Sequence, residues 1–287
     1  MKMKVFDIHA HIYPEKIADK AVHSISALYG GFEMKGDGRA KTLIQRMDAA
    51  GIDQCAAHSA ATTAHQVSSI NRFILSEANQ FPDRIVPFAT LHPDVPDLEN
   101  AIAEICAGGF SGIKLHPEFQ GFKVDEPRAI RMFDLIGDRI PILLHCGDAV
   151  RDNSAPERIL HLLKEVPRIR LVCAHLGGWQ VWERAASVLT GADIWVDTSS
   201  ALYALSPERA AAIIRGYGTG RALFGSDFPM WDPAEELRRF LNLPLTDSER
   251  ENILWNNHIH LFQGEKKAKY RLFSESGRRR LTLRVRA

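Results

Sequence analysis

The chain has 287 residues, 45% of them hydrophobic and 25% charged, and its formal net charge at pH 7 is +1. These values are those of an ordinary soluble globular protein. No apolar run approaches the length of about 18 residues that a transmembrane helix needs, so we expect no membrane partner. The length allows two average domains, although α/β barrels routinely reach this size as one.

The N-terminus and the cysteines predict a cellular location. Residues 1–4 lead directly into an apolar, strand-like run, which leaves no room for a signal peptide. Cys55, Cys106, Cys146 and Cys173 sit singly in apolar segments rather than in Cys-x-x-Cys pairs. This pattern favours free thiols in a reducing compartment. The sequence therefore predicts a cytoplasmic protein.

In chain order, a short apolar run followed by an amphipathic stretch recurs eight times. Runs such as Ile142-Leu143-Leu144 are continuously apolar, which is typical of strands buried on both faces of a parallel sheet. The stretches between them carry helix signals. Asp97 lies near the start of a helix predicted for 96–107, and Ser206 precedes one predicted for 207–217. The predicted strands are residues 4–9, 52–58, 85–91, 111–116, 140–146, 169–175, 193–198 and 221–226.

Alternating β and α units over residues 1–263 predict a single-domain (β/α)₈ TIM barrel. An open, doubly wound sheet is the alternative, but no glycine-rich phosphate loop follows the first strand. The long segment 12–40 follows it instead, with Tyr13-Pro14 near its start and Gly36-Asp37-Gly38 near its end. Such a segment is typical of a lid or pocket wall.

Residues 264–287 form a separate, basic C-terminal tail. Positions 265–287 contain nine Lys or Arg and two Glu. The tail lacks interleaved aromatic residues and a basic counterpart on the rest of the chain, so it does not predict a nucleic-acid partner. We expect a poorly ordered terminus.

The first predicted strand leads into His9-Ala10-His11, which places two imidazoles two residues apart. Alternate side chains of a strand share a face, so His9 and His11 lie on the same side, roughly 6.6 Å apart along the backbone. They could hold one metal ion between them, or they could be a hydrogen-bonded structural pair. The pair alone leaves both interpretations open.

Histidines recur where the predicted strands end, which is where a (β/α)₈ barrel forms its active site. Seven of the twelve histidines fall at this face, a clustering that a purely structural role does not explain. The clustering favours a metal site. The strand-end residues are His9, His11, His58, His92, Lys114, His116, His145, His175 and Asp227. For His58 and His92 we expect a hydrogen bond to a loop carbonyl rather than a role in chemistry.

His145 and Asp227 carry the strongest individual signals. His145 follows the apolar run 142–144, where a core imidazole has few hydrogen-bond partners. Asp227 ends the run 223–226, where a carboxylate needs a cation. Three neutral imidazoles and one carboxylate suit Zn²⁺ with room left for water. His175, at the sixth strand end, could act on the substrate rather than the metal.

At these residues the chain resembles the amidohydrolase superfamily, and within it the amidohydrolase-related branch that includes aminocarboxymuconate-semialdehyde decarboxylase. The resemblance runs from about residue 4 to residue 263. Its motifs have the family's order and strand positions. They are Asp7-Ile8-His9-Ala10-His11, Gly112-Ile113-Lys114-Leu115-His116-Pro117, Leu144-His145-Cys146, Ala174-His175-Leu176-Gly177-Gly178 and Gly225-Ser226-Asp227-Phe228-Pro229.

The resemblance implies one divalent metal ion, usually zinc, bound by four residues. The implied ligands are His9, His11, His145 and Asp227. It also implies that His175 is the catalytic histidine and that Asp227 can carry a proton.

The fourth strand places Lys114 and His116 on the same face, so both can point into the barrel mouth. Other branches of the superfamily have a carboxylated lysine there that bridges two metal ions. We predict an unmodified Lys114 and a mononuclear site, because the other motifs resemble the mononuclear branch. The candidate substrate-binding residues are Lys114, His116, Tyr13 and Trp179.

The sequence favours metal-dependent hydrolysis of a small carbonyl-derived substrate such as an amide or a lactone. In this hypothesis zinc lowers the pKa of a bound water from about 15.7 to roughly 7. Asp227 accepts a proton from this water as it attacks the carbonyl carbon, and His175 stabilises the oxyanion.

The alternative is zinc-dependent, non-oxidative decarboxylation of a small unsaturated or aromatic carboxylic acid, with Asp227 or His175 protonating carbon. It needs a cation for the substrate carboxylate, for which Lys114, Arg151 and Arg39 are candidates. A non-catalytic structural metal site is disfavoured, because the ligands sit at the open face of the barrel. The expected partners are a small-molecule substrate and, as the commonest oligomer, a second copy in a homodimer.

Overall fold

A computed structural model describes residues 3–263 of the chain. Within this range, eight strands follow one another in chain order around a single sheet. Each strand pairs in parallel with the next. The strands are β1 Phe6–His11, β2 Gln54–His58, β3 Ile85–Thr90, β4 Gly112–Leu115, β5 Ile142–Leu144, β6 Leu171–Cys173, β7 Trp195–Asp197 and β8 Ala222–Leu223.

Contacts between the two ends of the sheet close it into a barrel. The Ile8 N–H donates to the Phe224 carbonyl at 2.9 Å. Ala10 forms a parallel bridge with Phe228 just beyond β8. The prediction of a (β/α)₈ TIM barrel is therefore confirmed.

Two apolar clusters hold the barrel together. The larger one packs the strands against the surrounding helices. The smaller one joins strand residues such as Phe6, Phe88 and Leu223, all at most 2% exposed, to Leu261 of the last helix. Gly112 leaves the room that Phe88 occupies, because a Cβ there would lie 2.4 Å from its ring. Because apolar side chains fill the barrel in this way, polar side chains that could act in chemistry lie at the end where the strands finish.

Helices alternate with the strands along the chain. They are α1 Ala18–Leu28, α2 Ala40–Ala50, α3 Val67–Gln80, α4 Leu98–Ala107, α5 Pro117–Gln120, α6 Pro127–Ile136, α7 Pro156–Glu165, α8 Trp182–Leu189, α9 Pro207–Tyr217, α10 Pro233–Leu241, α11 Asp247–Glu251 and α12 Asn257–Gln263. The capping signals behave as the sequence predicts. The Asp97 carboxylate accepts from the Asn100 N–H at the start of α4, and Ser206 Oγ accepts from the Arg209 N–H at the start of α9.

The segment 12–40 contains α1 and lies beside the open mouth of the barrel, where its side chains line a cavity. The prediction of a pocket wall is thus confirmed. The basic tail predicted for 264–287 lies outside the described residues. Within residues 3–263, every helix is too short or too polar to cross a lipid bilayer.

Candidate active site

A cluster of buried polar side chains lies where the strands end. His9, His145 and His175 are at most 3% exposed. The side chains of His11 and Asp227 are each 13% exposed and face the open end. Because all eight strands are parallel, their carboxyl ends meet at this one face. The barrel therefore brings together the five residues that the sequence singled out.

The tautomer of His9 is set by Asp197 at the end of β7. The His9 Nδ1–H donates to Asp197 Oδ2 at 2.9 Å. Although burial opposes ionisation, the contact with His9 holds the pKa of Asp197 at about 2. Burial, followed by the charge of Lys114, lowers the pKa of His9 to about 4. The ring is therefore neutral and presents a lone pair on Nε2 to the cluster.

Two further histidines, His145 after β5 and His175 after β6, each turn a lone pair toward the other. His145 Nε2 lies 3.1 Å from the Gly147 carbonyl, and His175 Nδ1 lies 3.1 Å from the Ser199 carbonyl. A carbonyl can only accept, so these two nitrogens carry the protons. Burial lowers the pKa of both rings, which keeps them neutral. His145 Nδ1 and His175 Nε2 then meet as two acceptors 3.0 Å apart, an arrangement that calls for a cation.

Asp227 supplies the negative charge of the cluster. Its Oδ1 lies 3.3 Å from His9 Nε2 and 3.5 Å from His11 Nε2. Burial pushes its pKa upward, but the surrounding imidazoles outweigh this and hold the pKa well below its usual value. Ser200 Oγ donates to the other oxygen at 2.5 Å and so orients the carboxylate.

The backbone is strained at the loops that carry these side chains. His175, Ser200 and Asp227 have φ values of 60°, 48° and 60°. Residues other than glycine adopt this left-handed region at a cost of order 1–3 kcal/mol, and such strain concentrates at functional sites. The strands thus end in turns whose geometry aims side chains into the cluster.

Proximity divides the candidate ligands into groups. Potential ligand atoms of His9, His175 and Asp227 all lie within 4.8 Å of one another. His9 and His11 form a similar group with His58. A further group contains His145, His116 and Glu118. His145 joins the first group through its 3.0 Å contact with His175. The division of roles, with His145 a metal ligand and His175 catalytic, stays a prediction.

Lys114 lies inside the cluster rather than at its rim. It is fully buried, and its Nζ lies 2.9 Å from His9 Nε2. Burial lowers the pKa of Lys114 to about 8, against the opposing pull of Asp227 and Asp197. The side chain is thus mostly an ammonium at pH 7, and it donates to the lone pair of His9.

The two histidines expected to bond loop carbonyls differ. His92 Nε2 bonds a backbone carbonyl as predicted, at 3.1 Å, although the carbonyl is that of Gln120 at the end of α5 rather than of a loop residue. The expectation for His58 is wrong, because neither ring nitrogen has a hydrogen-bond partner among the described residues. The His58 ring instead stands edge-on to His11 with centroids 4.4 Å apart. It closes the inner side of the cluster.

A cavity of about 500 Å³ opens onto the cluster. Of the predicted substrate-binding residues, Tyr13 and His116 line it. Trp179 instead packs edge-on against Tyr29, which lines the cavity, with ring centroids 4.8 Å apart. The Tyr29 hydroxyl lies 3.2 Å from His116 Nε2 and ties the end of α1 to the site.

Three residues of the site were missed at the sequence level. Asp197 ends an apolar strand just as Asp227 does, so the same signal could have found it. Ser200 and Glu118 carry no such signal. The side chain of Glu118 is 1% exposed, and its Oε2 lacks a hydrogen-bond partner among residues 3–263. Only the folded chain places this oxygen in the cavity wall.

The donor set fits a divalent cation. Neutral imidazole nitrogens and one ionised carboxylate converge, and the opposed lone pairs of His145 and His175 have no proton between them. Such ligands suit Zn²⁺ and also other first-row divalent ions. The His9 Nδ1–H donates to Asp197 and the His145 Nε2–H donates to the Gly147 carbonyl, which leaves the other nitrogen of each ring free for a metal, as is usual around bound metals.

Comparison with solved structures finds the same fold in other proteins. An uncharacterised TIM-barrel protein from Bordetella bronchiseptica is 21% identical, with a TM-score of 0.73 over 90% of this chain and 98% of that one. A 5-carboxyvanillate decarboxylase from Novosphingobium aromaticivorans, complexed with manganese and 4-hydroxy-3-methoxy-5-nitrobenzoic acid, is 15% identical, with a TM-score of 0.70 over 91% of this chain and 96% of that one. A 2,6-dihydroxybenzoate decarboxylase from Rhizobium is 19% identical, with a TM-score of 0.65 over 91% and 99%.

These likenesses establish the shared fold. No curated protein matches the chain by sequence. The family model described as amidohydrolase, however, matches residues 6–263, which include every strand and all five clustered residues. The chain therefore belongs to the amidohydrolase family.

Proposed function

We propose that this protein is a metal-dependent decarboxylase that removes the carboxylate of a small unsaturated or aromatic acid as CO₂ without oxidation. The sequence alone favours hydrolysis and holds decarboxylation as the alternative. Two of the three similar structures described above are decarboxylases of aromatic acids. This supports decarboxylation over hydrolysis. Family membership supports an enzyme that uses a divalent metal.

The observation that carries the proposal is the shape and polarity of the cavity. Its walls are largely apolar, and its ionisable lining residues include His11, His116, Glu118, His145 and Asp227. A flat aromatic ring suits such walls, while its carboxylate needs the polar residues. Loss of CO₂ removes a charged group, so an apolar surrounding favours the products over the bound acid.

The proposed metal ligands are His9, His11, His145 and Asp227, and the ion is Zn²⁺ or Mn²⁺. When bound, the ion would supply Lewis-acid stabilisation of negative charge on a substrate oxygen. Lys114 Nζ lies 2.9 Å from His9 Nε2; it would have to release this lone pair to the ion, and it would then supply a second positive charge in the same buried cluster. Arg151 adds a cation at the cavity wall.

The reaction then consists of cleavage of the bond to the carboxylate and protonation of the carbon by residues of the chain. The bond between the ring carbon and the carboxylate breaks, its electron pair stays on the carbon, and CO₂ leaves. Neither His175 Nε2 nor Asp227 carries a proton toward the site at rest, so one of them first takes up a proton from solvent and then delivers it to that carbon. The Ser199 carbonyl holds His175 so that Nε2 faces the site, and Ser200 holds Asp227. Both proton carriers are therefore preorganised.

Hydrolysis is the second candidate, and one observation favours it. Asp227 is held in its ionised form, with Ser200 orienting one oxygen. A carboxylate so placed can accept a proton from an attacking water. The same site would then cleave an amide or a lactone.

The two candidates give different products from the same protein. Protein loaded with Zn²⁺ or Mn²⁺ would be incubated with a panel of hydroxybenzoates and cinnamates and, separately, with aryl amides and lactones. Decarboxylation predicts CO₂ release and, in D₂O, one deuterium at the carbon that lost the carboxylate. Acid products from the amides or lactones without CO₂ from any acid would refute the proposal and favour hydrolysis.

Variants assign the roles within the site. His175→Asn should keep its metal and lose turnover by about 10²–10⁴, the usual contribution of a proton carrier. His145→Ala should lose the metal, which elemental analysis measures. Equal metal loss in both variants would make His175 a ligand.

A further inference from the structure

The cavity is much larger than a single-ring acid requires. A cavity of about 150 Å³ accommodates one benzene molecule, whereas this one has about 500 Å³. Helix α1 forms part of the wall around this space. Large or apolar side chains line most of it here: Ile17 just before the helix, Ala21, Ile25 and Leu28 of α1, and Ile70 of α3, with the small polar Ser24 and Ser69 among them.

The apolar wall is uncovered in the free protein. Ile17 is 49% exposed and Leu28 is 52% exposed, although both are large and hydrophobic. The charged residues of α1, Asp19 and Lys20, do not line the cavity. A charged ligand group placed beside α1 would lose water and gain no ionic partner from this helix, which costs free energy. An apolar group would instead cover surface that now faces water.

We infer that the substrate is an acid with an elongated apolar substituent, an alkyl chain or second ring, on the side opposite its carboxylate. The substituent lies along α1 while the carboxylate lies at the inner cluster. This inference rests on the proposed function for the position of the acid group. It adds the part of the substrate that α1 recognises.

Binding to the metal-loaded protein tests the inference without requiring turnover. The probes are benzoate and its 4-methyl, 4-ethyl, 4-propyl and 4-butyl derivatives, with dissociation constants measured by calorimetry. Burial of each added methylene should strengthen binding about fourfold until the cavity is filled. The affinity of the butyl compound should therefore exceed that of the methyl compound by well over tenfold.

Matched variants locate the effect. Ile25→Trp fills the cavity along α1, so it should abolish the gain with chain length while benzoate binds within about threefold of wild type. Ile70→Trp does the same from α3, should the first variant fold poorly. Ala27→Trp is the control, because Ala27 is exposed on the same helix and does not line the cavity. It should retain the full chain-length series.

The outcomes separate this inference from the proposed function. Benzoates that bind with no gain from methyl to butyl would overturn the inference and leave an acid-binding site. A gain that survives both Ile25→Trp and Ile70→Trp would also overturn it. Failure of every acid to bind would overturn the inference and the proposed function together. Chain-length-dependent binding without CO₂ release would uphold the inference and refute decarboxylation.

Discussion

Asp197 offers a direct test of how the cluster is organised. Its Oδ1 accepts from the backbone N–H groups of His175 at 3.1 Å and Ser199 at 2.9 Å. Its Oδ2 accepts from His9 Nδ1 at 2.9 Å. In Asp197→Asn the amide oxygen can keep the two backbone bonds, and the amide NH₂ then faces His9. Because NH₂ only donates, it opposes a proton on His9 Nδ1 and favours the tautomer with the proton on Nε2.

The changed tautomer of His9 should weaken metal binding. A protonated Nε2 has no lone pair for a ligand bond, so the variant must restore the original tautomer against the new amide whenever metal binds. Changes to such outer partners typically weaken metal affinity by about 10–100-fold, which corresponds to about 1.4–2.8 kcal/mol. The fold should persist, since the backbone bonds and the side-chain volume are retained.

The assay is a titration of metal-free protein with Zn²⁺ against a competing chelator. Asp193→Asn makes the same chemical change at a side chain that is 76% exposed and pairs with Arg221 at 3.0 Å. This control should bind zinc like the wild type. If folded Asp197→Asn also binds zinc within twofold of the wild type, then Asp197 does not set the His9 tautomer and the account of the cluster is wrong.

Two other substitutions test the site and its frame. Lys114→Met should keep one metal ion per chain. It should bind benzoate at least tenfold more weakly by calorimetry, because a buried cation is lost. Two metal ions per wild-type chain, or a carbamate on Lys114 in electron density, would contradict the mononuclear interpretation. Gly147→Ala should lower the free energy of unfolding in urea by about 2–5 kcal/mol, because strain at positive φ adds to overpacking. Its φ is 75°, and a Cβ would lie 2.6 Å from Gly178 Cα. Gly109→Ala, at a φ of 87° with no atom within 4 Å of its Cβ, should show the strain of about 1–2 kcal/mol alone, and equal losses would refute the steric argument.

Local sequence patterns predicted most of the strands and helices of the barrel. The helix predicted for 207–217 is observed at Pro207–Tyr217, since Ser206 caps it and Pro207 occupies its first turn. The first strand, predicted at 4–9, is observed at Phe6–His11. It runs further because pairing with β2 continues to the contact of His11 with His58. Strand ends shift in this way because they depend on a neighbouring strand that the local pattern does not specify.

By itself, the sequence determined that apolar runs become buried parallel strands and that histidines and Asp227 stand at their ends. Both follow from the period of two along a strand and from the burial of apolar side chains, which are properties of neighbouring residues. Only the tertiary structure decided which partners these groups meet. Asp197 bonds a histidine 188 positions away. Residues of α1 become a wall of the cavity. Such contacts depend on how the barrel closes and on the path of its loops, which bring distant residues together in space.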